Sequence, residues 1–307
     1  MIVTIASGKG GTGKTTVTVN LAAIAPVSDI QVFDCDVEEP NSHIYLKPEN
    51  ITTQEISTMI PVVDKELCNL CGECEKLCQF SAIALIAGKI MTFPEMCHSC
   101  RGCAMVCPEG AINEGKRVLG SLLEGKNQRG IELIWGELRV GEAMSPPLIK
   151  QVKQRINPEK FSFVDAPPGT SCPAIETLRD SDFAILVSEP TPFGLNDLAL
   201  TVEVLKKLNV PTGIVINRAD TSEPTSSVQG SMPDTIIDEY AEKEGIEILQ
   251  KFPFSREAAR VSSKGLLLVD EMPEMKKLFQ ELYDKIMSRL DAIKEKNPAK
   301  QAEGTMS

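Results

Sequence analysis

Residues 68–78 read CNLCGECEKLC, and residues 97–107 read CHSCRGCAMVC. Moving the first stretch along by 29 positions carries Cys68, Cys71, Cys74 and Cys78 onto Cys97, Cys100, Cys103 and Cys107. The same shift carries Ala82 and Ile83 onto Ala111 and Ile112. Eight cysteines in one register identify a duplicated module, with a short β-like segment, IALIAGKIMTF, between its halves. The start, MIVTIASGKG, runs from a short apolar stretch into a Gly-rich loop and lacks the features of a signal peptide. No stretch approaches the roughly 18 apolar residues of a membrane span. The expectation is a cytoplasmic chain without stable membrane insertion. In that compartment clustered thiols bind metal more often than they form structural disulfides.

The spacing C-x2-C-x2-C-x3-C matches that of bacterial ferredoxins. Pairs of intervening residues let a loop wrap a cubane and offer three of its corners a thiolate. In two-cluster ferredoxins the fourth cysteine belongs to the other cluster. The resemblance therefore assigns Cys68, Cys71, Cys74 and Cys107 to one [4Fe–4S] cluster, and Cys97, Cys100, Cys103 and Cys78 to a second. Zinc is the alternative, although zinc modules usually place a longer loop between their C-x2-C pairs. One position departs from the pattern: Pro108 follows Cys107, whereas Gln79 stands after Cys78. Hydrogen bonding around the cluster that Cys78 would hold is expected to differ, and cluster potential depends on such bonds.

The rest of the chain alternates. IVTIA is a strand, SGKGGTGKTT a loop and VTVNLAAIA a helix; a second strand, IQVFDCD, ends at Asp36. Residues 37–60 are polar and read as irregular, with Pro40, Asn41 and Pro48 as breakers. Strands are expected at RGIELIWGELR, FSFVD, FAILVSE, TGIVINRAD and IEILQKFPF, with helices at PPLIKQVKQRI, AIETLRD, LNDLALTVEVLKKL and TIIDEYAEKEG. This order implies an α/β fold, a doubly wound and mainly parallel sheet. The segments 1–60 and 117–296 form one discontinuous domain; 61–116 is an inserted α+β domain, and 297–307 a disordered tail. Residues 275–293 carry an apolar helical face, expected to pack on the sheet rather than lie on a membrane. A hydrophobic content of 42% suits such a core, and a net charge of −11 argues against a nucleic-acid partner.

Gly8 to Thr15 satisfy G-x-x-x-x-G-K-[ST] between a predicted strand and helix. Glycines let successive backbone N–H groups converge on phosphate oxygens, and the helix N-terminus adds its dipole. Gly8, Gly10, Gly11, Thr12, Gly13, Lys14, Thr15 and Thr16 are the expected nucleotide contacts. Lys14 reaches the β- and γ-phosphates, and Thr15 supplies a Mg²⁺ ligand.

Lys9 inside this loop is not needed by a minimal phosphate loop. GKGGTGKTT resembles the deviant phosphate loop of the MinD, ParA, Mrp and nitrogenase iron-protein superfamily. The resemblance implies an ATPase that sandwiches two ATP molecules in a homodimer, or in a heterodimer with a close homologue, with Lys9 acting across the interface. It further implies that Asp36 positions the attacking water, with Asp34 in support near the metal. Asp165 would hold Mg²⁺, usually through water, and APPG after it would form the second switch. Asn217, Arg218, Pro253 and Phe254 would surround the adenine, and Asp197 would help at the dimer face. Cys172, seven residues after Asp165, resembles one ligand of the bridging cluster in the nitrogenase iron protein, but 118–160 offers no second ligand. A packing role is expected for it and for Cys35.

The functional expectation is an ATP-driven switch that gates electron transfer to a protein partner through two [4Fe–4S] clusters, with cluster delivery as a variant. The alternative is a MinD/ParA-type positioning ATPase whose clusters are structural or redox-sensing. An amidotransferase-type ligase shares this loop, but no glutaminase or substrate site is readable.

Overall fold

The computed structural model describes residues 1–26, 29–219 and 235–296. The tail expected at 297–307 lies outside the described residues. Eleven strands are described: β1 Ile2–Ala6, β2 Ile30–Asp34, β3 Glu49–Val63, β4 Ile83–Ile86, β5 Lys89–Thr92, β6 Ile112–Lys126, β7 Glu132–Leu138, β8 Phe161–Asp165, β9 Phe183–Ser188, β10 Thr212–Ala219 and β11 Glu247–Pro253. Nine form one sheet in the order β11-β10-β9-β1-β8-β2-β7-β6-β3, while β4 and β5 make a separate hairpin. The seven strands from β11 to β7 run parallel. β6 and β3 are added antiparallel at one edge.

The parallel strands are covered on both faces. β2 and β9 are buried throughout and do not alternate, being apolar except at Gln31, Asp34 and Ser188. The helix Pro273–Lys296 puts Phe279, Leu282, Ile286 and Leu290 into the same cluster as Val3, Ile5 and Phe163. Its apolar face is thereby occupied by the core. On the opposite face Leu198, Val202 and Leu205 of the helix Pro192–Leu208 pack on Leu186, Ile214 and Ile216. Among the described residues no helix is long and apolar enough to cross a membrane.

Residues 49–63 correct the irregular reading of 37–60. They form a 15-residue edge strand paired with β6 from Glu49–Lys126 to Val63–Ile112. Most of β3 is exposed, so no apolar alternation marks it. The overlooked signal is β-branched content, in Ile51, Thr52, Thr53, Ile56, Thr58, Ile60, Val62 and Val63.

β6 is paired on its other side with β7 only from Gly120 to Lys126. Residues 112–118 therefore overhang, paired as a strand with β3 and not with β7. The overhang starts at the C-terminal end of β7, the sheet end at which β1 and β8 deliver the Gly-rich loop and Asp165. The same end of β7 is tied inward, since the Leu138 N–H donates to the Val37 carbonyl at 2.8 Å.

At the ribbon tip the 29-residue repeat is a repeat of backbone shape. Leu70, Gly72 and Ser81 have positive φ, as do their counterparts Ser99, Arg101 and Gly110. The Asp64 N–H donates to the Ala111 carbonyl at 2.7 Å, and in the mirrored pair Phe93 N–H donates to Ala82 at 2.8 Å. Each half thus closes a bond onto the other, as expected for two copies related by a local two-fold axis.

Candidate functional site

β1 ends in the loop 7–13 and the helix Lys14–Ile24 follows. Gly11 and Gly13 take φ of 76° and 98°, a left-handed backbone that side chains resist. A Cβ on Gly13 would stand 2.5 Å from Asn217 Nδ2, and one on Gly8 would stand 2.3 Å from the Asp197 carbonyl oxygen. The loop is therefore clamped between β10 and the helix Pro192–Leu208. Asn217 Nδ2 fixes it by donating to the Thr12 carbonyl at 2.7 Å.

A cavity of about 390 Å³ opens beside this loop. Gly10, Gly11, Gly13, Lys14, Thr15 and Thr16 line one side, and Asp36, Asn217, Arg218, Pro253 and Phe254 also border it. Its wall is completed by the helix Arg256–Ser263, which contributes Ala258, Ala259 and Ser262. Ser255, whose hydroxyl accepts from Ala258 N–H at 3.1 Å, starts that helix at the cavity edge.

Three carboxylates and one buried ammonium meet at the strand ends. Thr15 Oγ1 donates to Asp165 Oδ2 at 2.5 Å, while Asp165 Oδ1 is buried without a hydrogen-bond partner. Burial, then the neighbouring Asp34, hold the Asp165 carboxyl well above the usual carboxylate range. Both Asp34 oxygens are already engaged: Oδ1 accepts from Asp36 N–H, and Oδ2 accepts from the N–H groups of Asn41 and Ser42. Asp34 is thus the anchor of the loop 36–42, and burial pushes it up against the pull of those bonds. Asp36 faces the cavity, where burial and the Asp34 charge raise it to about 6, with Lys14 acting in the opposite direction. An orphan carboxylate oxygen beside a threonine hydroxyl, amid excess negative charge, suits a hard divalent cation. Thr15 and Asp165 fit Mg²⁺.

Lys9 points at a partner that sequence reading missed. Its ammonium lies 2.9 Å from Glu189 Oε2, and Arg218 binds the other oxygen of the same nearly buried carboxylate. Arg218 Nη2 also donates to the Gly11 carbonyl at 3.2 Å. Glu189 lies just past β9 in a run, SEPTPFG, with no motif of its own, so only its position shows its role. Cys172 is exposed at the start of the helix Cys172–Leu178. Cys35 is fully buried, and burial pushes its thiol far up.

At the ribbon tip the thiols surround two small cavities. Cys68, Cys71, Cys74 and Cys107 line one, with Val63, Ile90 and Ala111. Cys78, Cys97, Cys100 and Cys103 line the other, with Met59, Pro61 and Phe80. Ala82 N–H donates to Cys78 Sγ at 3.3 Å, and its repeat mate Ala111 donates to Cys107 Sγ at 3.2 Å. Among the described residues no three metal-ligating side chains converge on one point. Thiolates that each take a different iron of a cubane have to ring a volume instead. The N–H donors to sulfur suit the negative charge of such a cluster.

A family model described as the CobQ/CobB/MinD/ParA nucleotide binding domain matches residues 3–269. This chain belongs to that family. An uncharacterized protein of Methanocaldococcus jannaschii is 30% identical over 93% of this chain and 96% of its own length. An iron-sulfur cluster carrier protein of the same organism is 25% identical over 95% of this chain and 86% of its own. Among solved structures, the septum site-determining protein MinD of Pyrococcus horikoshii, complexed with Mg-ADP, superposes with a TM-score of 0.57 at 20% identity, covering 93% of this chain and 95% of that one. It shares the fold.

Within this nucleotide-binding domain, the loop, Asp36 and the β10 and β11 ends fall around one cavity, and Asp165 lies buried behind Thr15. The cysteine quartets do not open onto that cavity. The chain joins the two regions through β3 and β6, and β6 pairs with β7.

Proposed function

We propose that the protein is an ATPase in which nucleotide binding drives a dimer switch that gates electron transfer through two [4Fe–4S] clusters. The observation that carries the reading is the grouping of eight cysteines into two quartets, each drawing three thiols from one half of the repeat and one from the other. Those quartets sit on a ribbon rooted at the nucleotide end of the sheet. The relatives named iron-sulfur cluster carriers support an iron–sulfur role. Ligation of both clusters by four cysteines favours electron transfer over delivery, because a carrier needs labile ligands.

Each residue's task follows from its place. The loop N–H groups and Lys14 bind the phosphates and offset charge on the transferred group. Thr15 and Asp165 hold Mg²⁺. Asp36, raised toward neutrality, accepts a proton from water or orients it, and Asp34 keeps Asp36 in place through the backbone. Lys9 exchanges Glu189 for the partner subunit's nucleotide. Arg218, Asn217, Pro253 and Phe254 border the space left for the base. Bound clusters would supply one-electron redox chemistry at the ribbon tip.

The deciding experiment is EPR of the reduced, anaerobically purified protein with and without Mg-ATP. Two cluster signals, one of which changes with nucleotide, are expected. Two signals indifferent to ATP would refute gating and leave the positioning alternative. Lys14→Ala should abolish hydrolysis while iron content stays unchanged; iron loss in that variant would show that the two halves are not separable.

A further inference from the structure

The overhanging part of β6 carries a buried ion pair that neither site accounts for. Arg117 and Glu142 have side chains 5% and 1% exposed, with Nη1 of the arginine 3.2 Å from Oε1 of the glutamate. Arg117 Nη2 donates to the Cys97 carbonyl at 3.4 Å. Glu142 lies in the loop after β7, where its Oε1 also accepts from Met144 N–H at 3.0 Å. Arg139 Nη2 stands 3.7 Å from its other oxygen.

Stability does not explain this pair. Arg117 Nε and Nη1 and Glu142 Oε2 are buried without a hydrogen-bond partner, so the pair is held by charge and not by directed bonds. Apolar residues of similar size would fill such a place at equal or lower free energy. What the pair does achieve is a connection. From Glu142 the loop runs to Ser145, whose hydroxyl donates to Glu38 Oε1 at 3.4 Å. At its other end Leu138 N–H donates to Val37 O, and Val37 packs with Leu148 and Ile134. Val37 and Glu38 directly follow Asp36, which lines the nucleotide cavity. On the far side, the Cys97 loop is fastened to β3 by Ser99 Oγ, which donates to the Met59 carbonyl at 2.6 Å. The repeat counterpart of Ser99, Leu70, has no hydroxyl to make this anchor.

We propose that Arg117 is a positioning residue which, with Glu142, links the loop after Asp36 to the backbone of Cys97 and so lets the nucleotide state bias only the quartet Cys78, Cys97, Cys100 and Cys103. The inference rests on the function proposed above. A guanidinium drawing on the carbonyl of a ligand residue adds positive charge beside that cluster and favours its reduced, more negative form. Motion of the loop 36–42 shifts the loop 139–145 and with it the hold on that carbonyl. Among the described residues the quartet at Cys68 has no such contact, so the two clusters respond unequally.

The test uses the full-length, anaerobically purified protein as wild type, Arg117→Met, Arg117→Lys and Glu142→Gln. Two readouts are compared with and without Mg-ATP: EPR-monitored redox titration, and hydrogen exchange of the amides at 97–101 against those at 68–72. In the wild type, ATP should shift one midpoint and alter exchange at 97–101, leaving 68–72 unchanged. Arg117→Met should lower that midpoint and abolish both ATP effects, with ATP turnover within about twofold of wild type. Arg117→Lys should restore some of the midpoint, and Glu142→Gln, which preserves volume, should break the ATP response without unfolding the ribbon. An ATP-dependent exchange change at 97–101 that survives in both Arg117→Met and Glu142→Gln overturns the link. So does an equal change at 68–72 in the wild type. A wild type without iron would end the iron–sulfur reading instead, and the exchange comparison would still decide the link.

Discussion

Replacing Asp36 by Asn should make the nucleotide-free protein more stable while removing its hydrolytic activity. The Asp36 carboxyl rises from the usual 3.8 to about 6 because it is half-buried and stands beside the Asp34 charge. The folded chain therefore binds this proton more tightly than the unfolded chain does. Stability falls as pH rises from about 4 to about 6, and the full penalty persists above that range. A rise of about two pH units corresponds to about 3 kcal/mol. Asp36 opens onto the cavity, so solvent screening reduces this to about 1–2 kcal/mol. Asn keeps the shape of the protonated acid and removes the penalty. At pH 8 in EDTA, without nucleotide, the variant should melt about 2–4 °C above wild type. By pH 5 about half of that gap should be gone, and below about pH 4 nearly all of it. Differential scanning fluorimetry across pH 4–8 measures the gap directly. A gap that does not change with pH, or a variant less stable at pH 8, would refute the electrostatic account of this site.

Gly13→Ala forces a left-handed backbone on a residue with a Cβ and drives that atom onto Asn217. It should cost about 1–3 kcal/mol and weaken ATP binding at least about tenfold by calorimetric titration. Cys107→Ser should halve the iron content, from about eight to about four per chain. Adding Cys68→Ser should then remove no more iron, whereas adding Cys97→Ser should empty the protein; the reverse pattern would mean that the quartets are not crossed. Glu189→Gln frees Lys9 from a competing carboxylate worth up to about 1 kcal/mol. ATP-dependent self-association by sedimentation should tighten about fivefold, and an unchanged constant would remove Glu189 as a restraint on Lys9.

The phosphate loop was legible because its chemistry is local: glycines, a lysine and a threonine must be adjacent to surround a phosphate. The cysteine register was legible for the same reason, since three thiols close in sequence are close in space. β3 was not, because an exposed edge ribbon needs no buried face and so leaves no periodic pattern. Asp34 looked like a member of the metal shell, yet its place at the end of β2 turned both oxygens to the backbone of residues 36–42.

The amino-acid order by itself determined the alternation of buried strands and helices, the phosphate loop and the duplicated thiol module, all set by contacts within a few residues. The tertiary structure alone decided which distant groups share a charge. Thr15 meets Asp165, and Lys9 and Arg218 meet Glu189, because parallel strands bring their C-terminal ends to one edge of the sheet. Arg117, by contrast, meets Glu142 because the antiparallel β6 carries its N-terminal half past the C-terminal end of β7. No local pattern encodes such pairs, since each partner satisfies the other only after the sheet has formed. The connection from the nucleotide cavity to Cys97 belongs to this second kind, and it exists only because β6 outruns β7.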